Sequence, residues 1–159
     1  MKSLLAGVVI VAAAGLAGAQ THTKISASAI MIEPVEVADV SIPEEFRYAI
    51  YERLVQHVQA SGLFQHVYRS GDREGKKVPD LVVLHTTVEA FKEGSQMQRE
   101  LVPVVAGTTT VDVTAKLVGK DGKELLDQKV AGKVRIFGEN LGATNDLAKR
   151  ITKLLKENF

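Results

Sequence analysis

The chain has 159 residues with no cysteine and no tryptophan, and its 20 Lys and Arg nearly balance its 19 Asp and Glu, for a net charge of +1. So even a balance excludes a general binder of nucleic acid or of anionic membrane, which needs a basic excess. The missing thiols exclude disulfides, thiolate chemistry and the lipidation of an N-terminal cysteine.

Lys2 is followed by an uncharged apolar run from Leu4 to Leu16, and Ala17-Gly18-Ala19 closes the run with small residues. This pattern predicts a secretory signal peptide over residues 1–19, cut between Ala19 and Gln20. The run falls short of the roughly 20 residues that cross a bilayer, so no membrane span is expected in the mature protein. Cleavage removes Lys2 and leaves 19 basic residues against 19 acidic ones. The expected product is periplasmic or secreted, and its stability must come from a packed core.

Residues 20–28 are polar and read as a flexible arm, and residues 29–159 as one domain. Ala29 to Val37 predicts a strand, with Pro34 marking an edge position or a bulge. Ser41 and Glu44 have the spacing of a capping box. Phe46, Ile50, Leu54 and Val58 then recur every four residues, widened by Tyr51 and Val55, which predicts a helix ended at Gly62 by a left-handed turn. Phe64 to Tyr68 reads as a short strand and Gly71 to Pro79 as a charged surface loop. Leu81 to Phe91, apolar at its start, suits a central strand. Val104 to Val118 alternates, with Thr109, Val111, Val113, Ala115 and Leu117 on one face. Asp121-Gly122 supplies a hairpin turn, and Glu124 to Ile136 pairs back, with Gly132 as a possible bulge. Thr144, Leu147, Ala148, Ile151, Leu154 and Leu155 define a closing amphipathic helix with its basic residues toward the favourable C-terminal end. The expected fold is α+β, a two-layer sandwich in the order β-α-β-β-β-β-α. Its sheet is mixed but mainly antiparallel, with both helices on one face.

Chemistry is sparse. The four histidines, His22, His57, His66 and His85, have no acid, base or nucleophile at working distance. His85 and Glu89 would stand roughly 13 Å apart along a strand. The Gly119 to Lys123 turn joins two strands, whereas a phosphate loop opens a helix. No enzyme activity, cofactor or nucleic-acid partner is therefore expected. A new N-terminus Gln20-Thr21-His22 would offer an amine, two amides and an imidazole, a square-planar set suited to Cu(II) or Ni(II).

The connection after the central strand is long for a hairpin. Phe91, Lys92, Glu93, Gly94, Ser95 and Arg99 are the candidate binding residues, followed by the apolar stretch Leu101 to Ala106. An apolar connection either folds over the domain or meets a partner.

The strand ending Phe91-Lys92-Glu93-Gly94-Ser95, Arg99, the step Ala106-Gly107, the strand to Val118, the turn Asp121-Gly122 and the closing helix together resemble the bacterial exported family called domain of unknown function 4410. The likeness runs from Leu63 to the C-terminus. It implies a small envelope protein, often a lipoprotein, with no established activity. This chain departs from the pattern in lacking the lipoprotein cysteine and in carrying Leu101-Val102-Pro103-Val104-Val105 where glycines are usual. A non-catalytic binding or assembly module with an envelope protein partner is the expected function, and a carrier or sensor of a small ligand or metal is the alternative.

Overall fold

A computed structural model describes residues 24–94, 108–134 and 141–159. The expected first strand is divided into β1 (Ala29–Ile32) and β2 (Glu36–Val37). Pro34, which has no N–H for a ladder, lies at the break. Helix α1 (Glu44–Ala60), β3 (His66–Arg69), β4 (Leu81–Lys92), β5 (Thr109–Gly119), β6 (Glu124–Val134) and α2 (Gly142–Asn158) follow. A short 3₁₀ turn, Gly75–Lys77, interrupts the loop before β4. The fold is α+β, with a mixed sheet and the expected order apart from the divided first strand.

The sheet runs β3-β1-β4-β5-β6, and β2 pairs with β4 beyond the end of β1. β1 is parallel to both its neighbours, Ile30 facing Val67 on one side and Val82 on the other. Parallel neighbours cannot be joined by a tight turn, so the chain must cross over between them. α1 supplies the crossing from β1 to β3 on one face. The loop through Gly75 supplies the crossing from β3 to β4 on the other, where Tyr68 and Val78 pack on Ala29, Met31 and Leu81. The β4–β5 and β5–β6 ladders are long and antiparallel.

Both helices lie on one sheet face. Phe46, Ile50, Leu54, Val55 and Val58 of α1 are buried, as are Leu147, Ala148, Ile151 and Leu155 of α2. They meet Ile30, Ile32, Val82, Leu84, Val88, Val111, Val113, Ala115 and Leu117 in one apolar cluster. The alternation expected in β5 is the one observed, with its odd-numbered residues inward.

The start of α1 differs from expectation. Pro43 holds the cap position and no side chain caps the helix, so Ser41 and Glu44 form no capping box. Glu44 turns to Arg47 instead, at 3.0 Å, and its charge still lies at the favourable positive end. At the other end Gly62 adopts φ 64°, the left-handed turn that the sequence indicates. Within the expected arm, the Ile25 N–H donates to the Asn158 carbonyl at 2.7 Å, and Ser28 bonds Asp80 through both its amide and its hydroxyl.

Gly132 is not a bulge, because the register passes through Val111 and Gly132 without a shift. Its role is close approach. A Cβ there would stand 2.6 Å from Leu147 Cβ and would press on the Ala143 carbonyl, so α2 rests directly on the β6 backbone. Gly132→Ala should destabilise the domain by about 1–3 kcal/mol, the usual cost of overpacking, read as a lower midpoint in urea unfolding. Thr86 presents the opposite case, being fully buried with a hydroxyl that has no hydrogen-bond partner. Thr86→Val should therefore raise stability by about 1 kcal/mol, because it removes an unsatisfied polar group while keeping the shape.

Candidate functional site

β4 pairs in phase with β5 up to Val88 and then slips, with Val88 opposite Val113 and Ala90 opposite Asp112. The extra residue is Glu89, whose carboxylate accepts from the Thr114 hydroxyl at 3.0 Å on the outer face. Without the bulge, Phe91 would point outward with His85 and Thr87. With it, Phe91 faces inward opposite Val111, and its ring meets the edge of Phe46 at 4.7 Å and 62°. The bulge thus seats the last apolar residue of β4 on the first turn of α1.

The other candidate residues diverge from this anchor. Lys92 pairs with Thr110 and is exposed, as is Glu93. The Gly94 N–H donates to the buried Thr109 hydroxyl at 3.0 Å, tying the start of the connection to the start of β5. Ser95, Arg99 and the apolar stretch from Leu101 lie outside the described residues, as do His22 and the signal segment. Phe91, Lys92, Glu93 and Gly94 are therefore brought to one end of the sheet. Ala38 joins them there, its N–H donating to the Val88 carbonyl at 3.0 Å.

The described histidines stand apart. His57 is half-buried and its Nε2 meets Asn145 Oδ1 at 2.7 Å, linking α1 to α2. That contact is hidden from sequence because it joins residues on separate helices. His66 stacks on Tyr68 at 5.9 Å, and His85 lies opposite Lys116. Among the described residues no three potential ligands gather to hold a metal ion. No helix among them is long and apolar enough to cross a membrane.

Among the described residues one ion pair connects the layers. Arg69 donates to both Glu52 oxygens, at 2.6 and 2.9 Å, joining β3 to α1, and its guanidinium lies 5.4 Å from the Tyr51 ring centre. The two hydrogen bonds from Arg69 hold the Glu52 carboxyl below the usual carboxylate range. Two further features of the described residues bear on recognition. β6 is an edge strand of 11 residues, and β5 is its one partner strand among the described residues. The end of β4 leads into the long connection.

The family model described as domain of unknown function (DUF4410) matches residues 38–137. The chain belongs to this family. The match begins before α1, earlier than the span that the sequence motifs indicate, and stops short of α2. No curated protein matches. Among solved structures, a PelC dodecamer from Paraburkholderia phytofirmans is 11% identical with a TM-score of 0.60, covering 81% of this chain and 87% of that one. A variant PelC dodecamer from the same organism reaches a TM-score of 0.63 at 11% identity, covering 85% and 94%. The hypothetical protein CT253 from Chlamydia trachomatis has a TM-score of 0.55 at 7% identity, covering 83% and 95%. At these identities the likeness is one of fold.

Because the folded-state pKa of Glu52 is depressed, the pair contributes above the unfolded value of about 4.3 and is lost as pH falls through the folded one. Glu52→Gln should flatten the acid limb of thermal stability between about pH 5 and 3. The difference should stay below about 1 kcal/mol, since the Arg69 and Glu52 side chains are 50% and 23% exposed.

Proposed function

We propose that this member of the DUF4410 family is an exported envelope protein whose mature domain is a non-catalytic binding and assembly module. The observation that carries the reading is the β6 edge. Alternate residues of this 11-residue strand turn backbone donors and acceptors to the outside, where the Lys133 N–H donates to the Asp146 carboxylate at 3.0 Å and no second strand lies on that side among the described residues. Such an edge is a template for strand addition, and soluble proteins ordinarily blunt or cover it. A fold neighbour, PelC, is described as a dodecamer, which supports self-assembly as the form this module takes. The candidate residues also favour contact over chemistry. Phe91 anchors the end of β4, Lys92 is exposed, and among the described residues no acid-base pair or nucleophile is assembled beside them.

The test is the mass in solution of the chain from Gln20 onward, with two proline variants. Asp127 and Gln128 are consecutive in β6, so one of them turns its N–H to β5 and the other turns it outward. Proline at the outward position should leave the unfolding transition nearly unchanged while reducing the oligomer to monomer. A monomeric wild type even at high concentration, or a folded outward variant that keeps the oligomer, would overturn the reading. Export is checked by the intact mass of the protein recovered from the cell envelope, expected to correspond to a chain beginning at Gln20.

A further inference from the structure

β2 has its own open side. β3 flanks β1 only as far as Arg69, and the last rung is the Ser70 N–H on the Ile32 carbonyl at 3.2 Å. The chain then turns away at Gly71, with φ 86°. Beyond that point β2, Glu36 and Val37, has β4 on one side and no strand on the other among the described residues. The Ala38 N–H points to β4, so alternation along the strand turns the backbone groups of Val37 to the open side, next to the Val35 carbonyl. The contact at the Val35 carbonyl is long and weak, with Arg47 Nη2 at 3.4 Å.

Arg47 is itself incompletely used. Its Nη1 is held by Glu44 at 3.0 Å, but its Nε is buried and has no hydrogen-bond partner. An unsatisfied buried donor disfavours the unbound state and rewards any arrangement that brings it an acceptor. Tyr48 follows it in sequence and is 69% exposed, an unusual place for so large a ring. Two hollows meet at Arg47. One of about 180 Å³ is lined by Pro34, Val35, Glu44, Arg47, Tyr48 and Tyr51. The other, of about 530 Å³, shares Pro34, Val35 and Arg47 and adds Glu33, Glu36, Val37 and His85. They form one trough along the open edge, divided by the Arg47 side chain.

The charges on its walls indicate the occupant. Glu33 is engaged by the Ser70 hydroxyl and Glu44 by Arg47, while the Glu36 side chain makes no ion pair or hydrogen bond among the described residues. A carboxylate-bearing guest would face three glutamates. A cationic one would find Glu36 and the exposed Tyr48 ring, while the Tyr51 ring beside it already carries Arg69; a carboxylate next to an aromatic face attracts ammonium and guanidinium groups.

We propose that this trough binds an extended peptide segment of a partner protein by strand addition to β2, with a lysine or arginine of the guest directed to Glu36. A backbone carbonyl of the guest then satisfies Arg47 Nε after a small movement of that side chain, and an apolar residue packs on Tyr48 and Tyr51. This deepens the binding-module reading and rests on it, but it uses a different edge from the β6 contact, so either can fail alone.

The test is a titration of the ¹⁵N-labelled chain from Gln20 with two synthetic hexapeptides, one alternating valine with lysine and the other valine with glutamate. The Arg47 Nε–H and the Val37 amide are observed directly. The lysine peptide should shift both signals, and the glutamate peptide should bind at least about tenfold more weakly. Glu36→Gln should lower affinity for the lysine peptide about threefold to tenfold, and Tyr48→Ala should lower it comparably, each with an unchanged unfolding midpoint. Absence of shifts at Val37 and Arg47 with the lysine peptide, or equal binding of the two peptides, would overturn the proposal. So would shifts at β6 in place of β2.

Discussion

The burial of β1 on both faces organises the molecule. All four of its residues are buried, Ile30 and Ile32 beneath the helices and Ala29 and Met31 beneath the loop that carries Gly75. A strand covered on both sides and paired in parallel on both edges needs one crossing above the sheet and one below. The upper crossing is α1, which brings Phe46 over Phe91 and Arg47 over the end of β2. The lower crossing is compact because Gly75 has no side chain: a Cβ there would come within 2.8 Å of Met31 Cε and 2.9 Å of the Tyr68 ring. Everything at the exposed end of the sheet follows from where these two crossings must run.

The elements that the sequence makes legible are those whose burial has a regular period. The four-residue recurrence from Phe46 to Val58 and the alternation from Thr109 to Leu117 each reflect one face turned to one core. Gly62 was readable for a different reason, because only a residue without a Cβ adopts that turn freely. The signals that misled were those with two physical readings. Ser41 and Glu44 have capping spacing, but Pro43 between them already satisfies the geometry of a helix start and has no N–H to protect. Gly132 within a strand is compatible with a bulge or with a close neighbour, and only the position of α2 decides between them.

The bulge at Glu89 was concealed for a related reason. Leu84, Thr86, Val88 and Ala90 continue one alternation without a visible break, so a straight strand fits their pattern. The sign of a slip is Phe91, a large ring that this phase would place outside. Its core position requires one extra residue, and a polar residue, Glu89, is the one that can be spared to the surface. The candidate site was therefore located by sequence at the correct end of β4. The division of labour there was not legible, since it depends on contacts distant in the chain, Phe91 with Phe46 of α1 and Val88 with Ala38 beside β2.

The hydrogen bond from Ile25 to the Asn158 carbonyl, with Phe64 against Phe159 at 4.9 Å, gives the domain a mechanical polarity. Both ends of the described chain leave from one pole, where β1 begins and α2 stops. β2, the end of β4 and the first turn of α1 occupy the other. Anything that tethers the protein by its N-terminal side, whether a translocating leader or an attached reporter, therefore holds it by its base. The trough beside Tyr48 and the exposed Lys92 lie at the opposite pole, so a pull on the N-terminal side acts along the sheet and away from them.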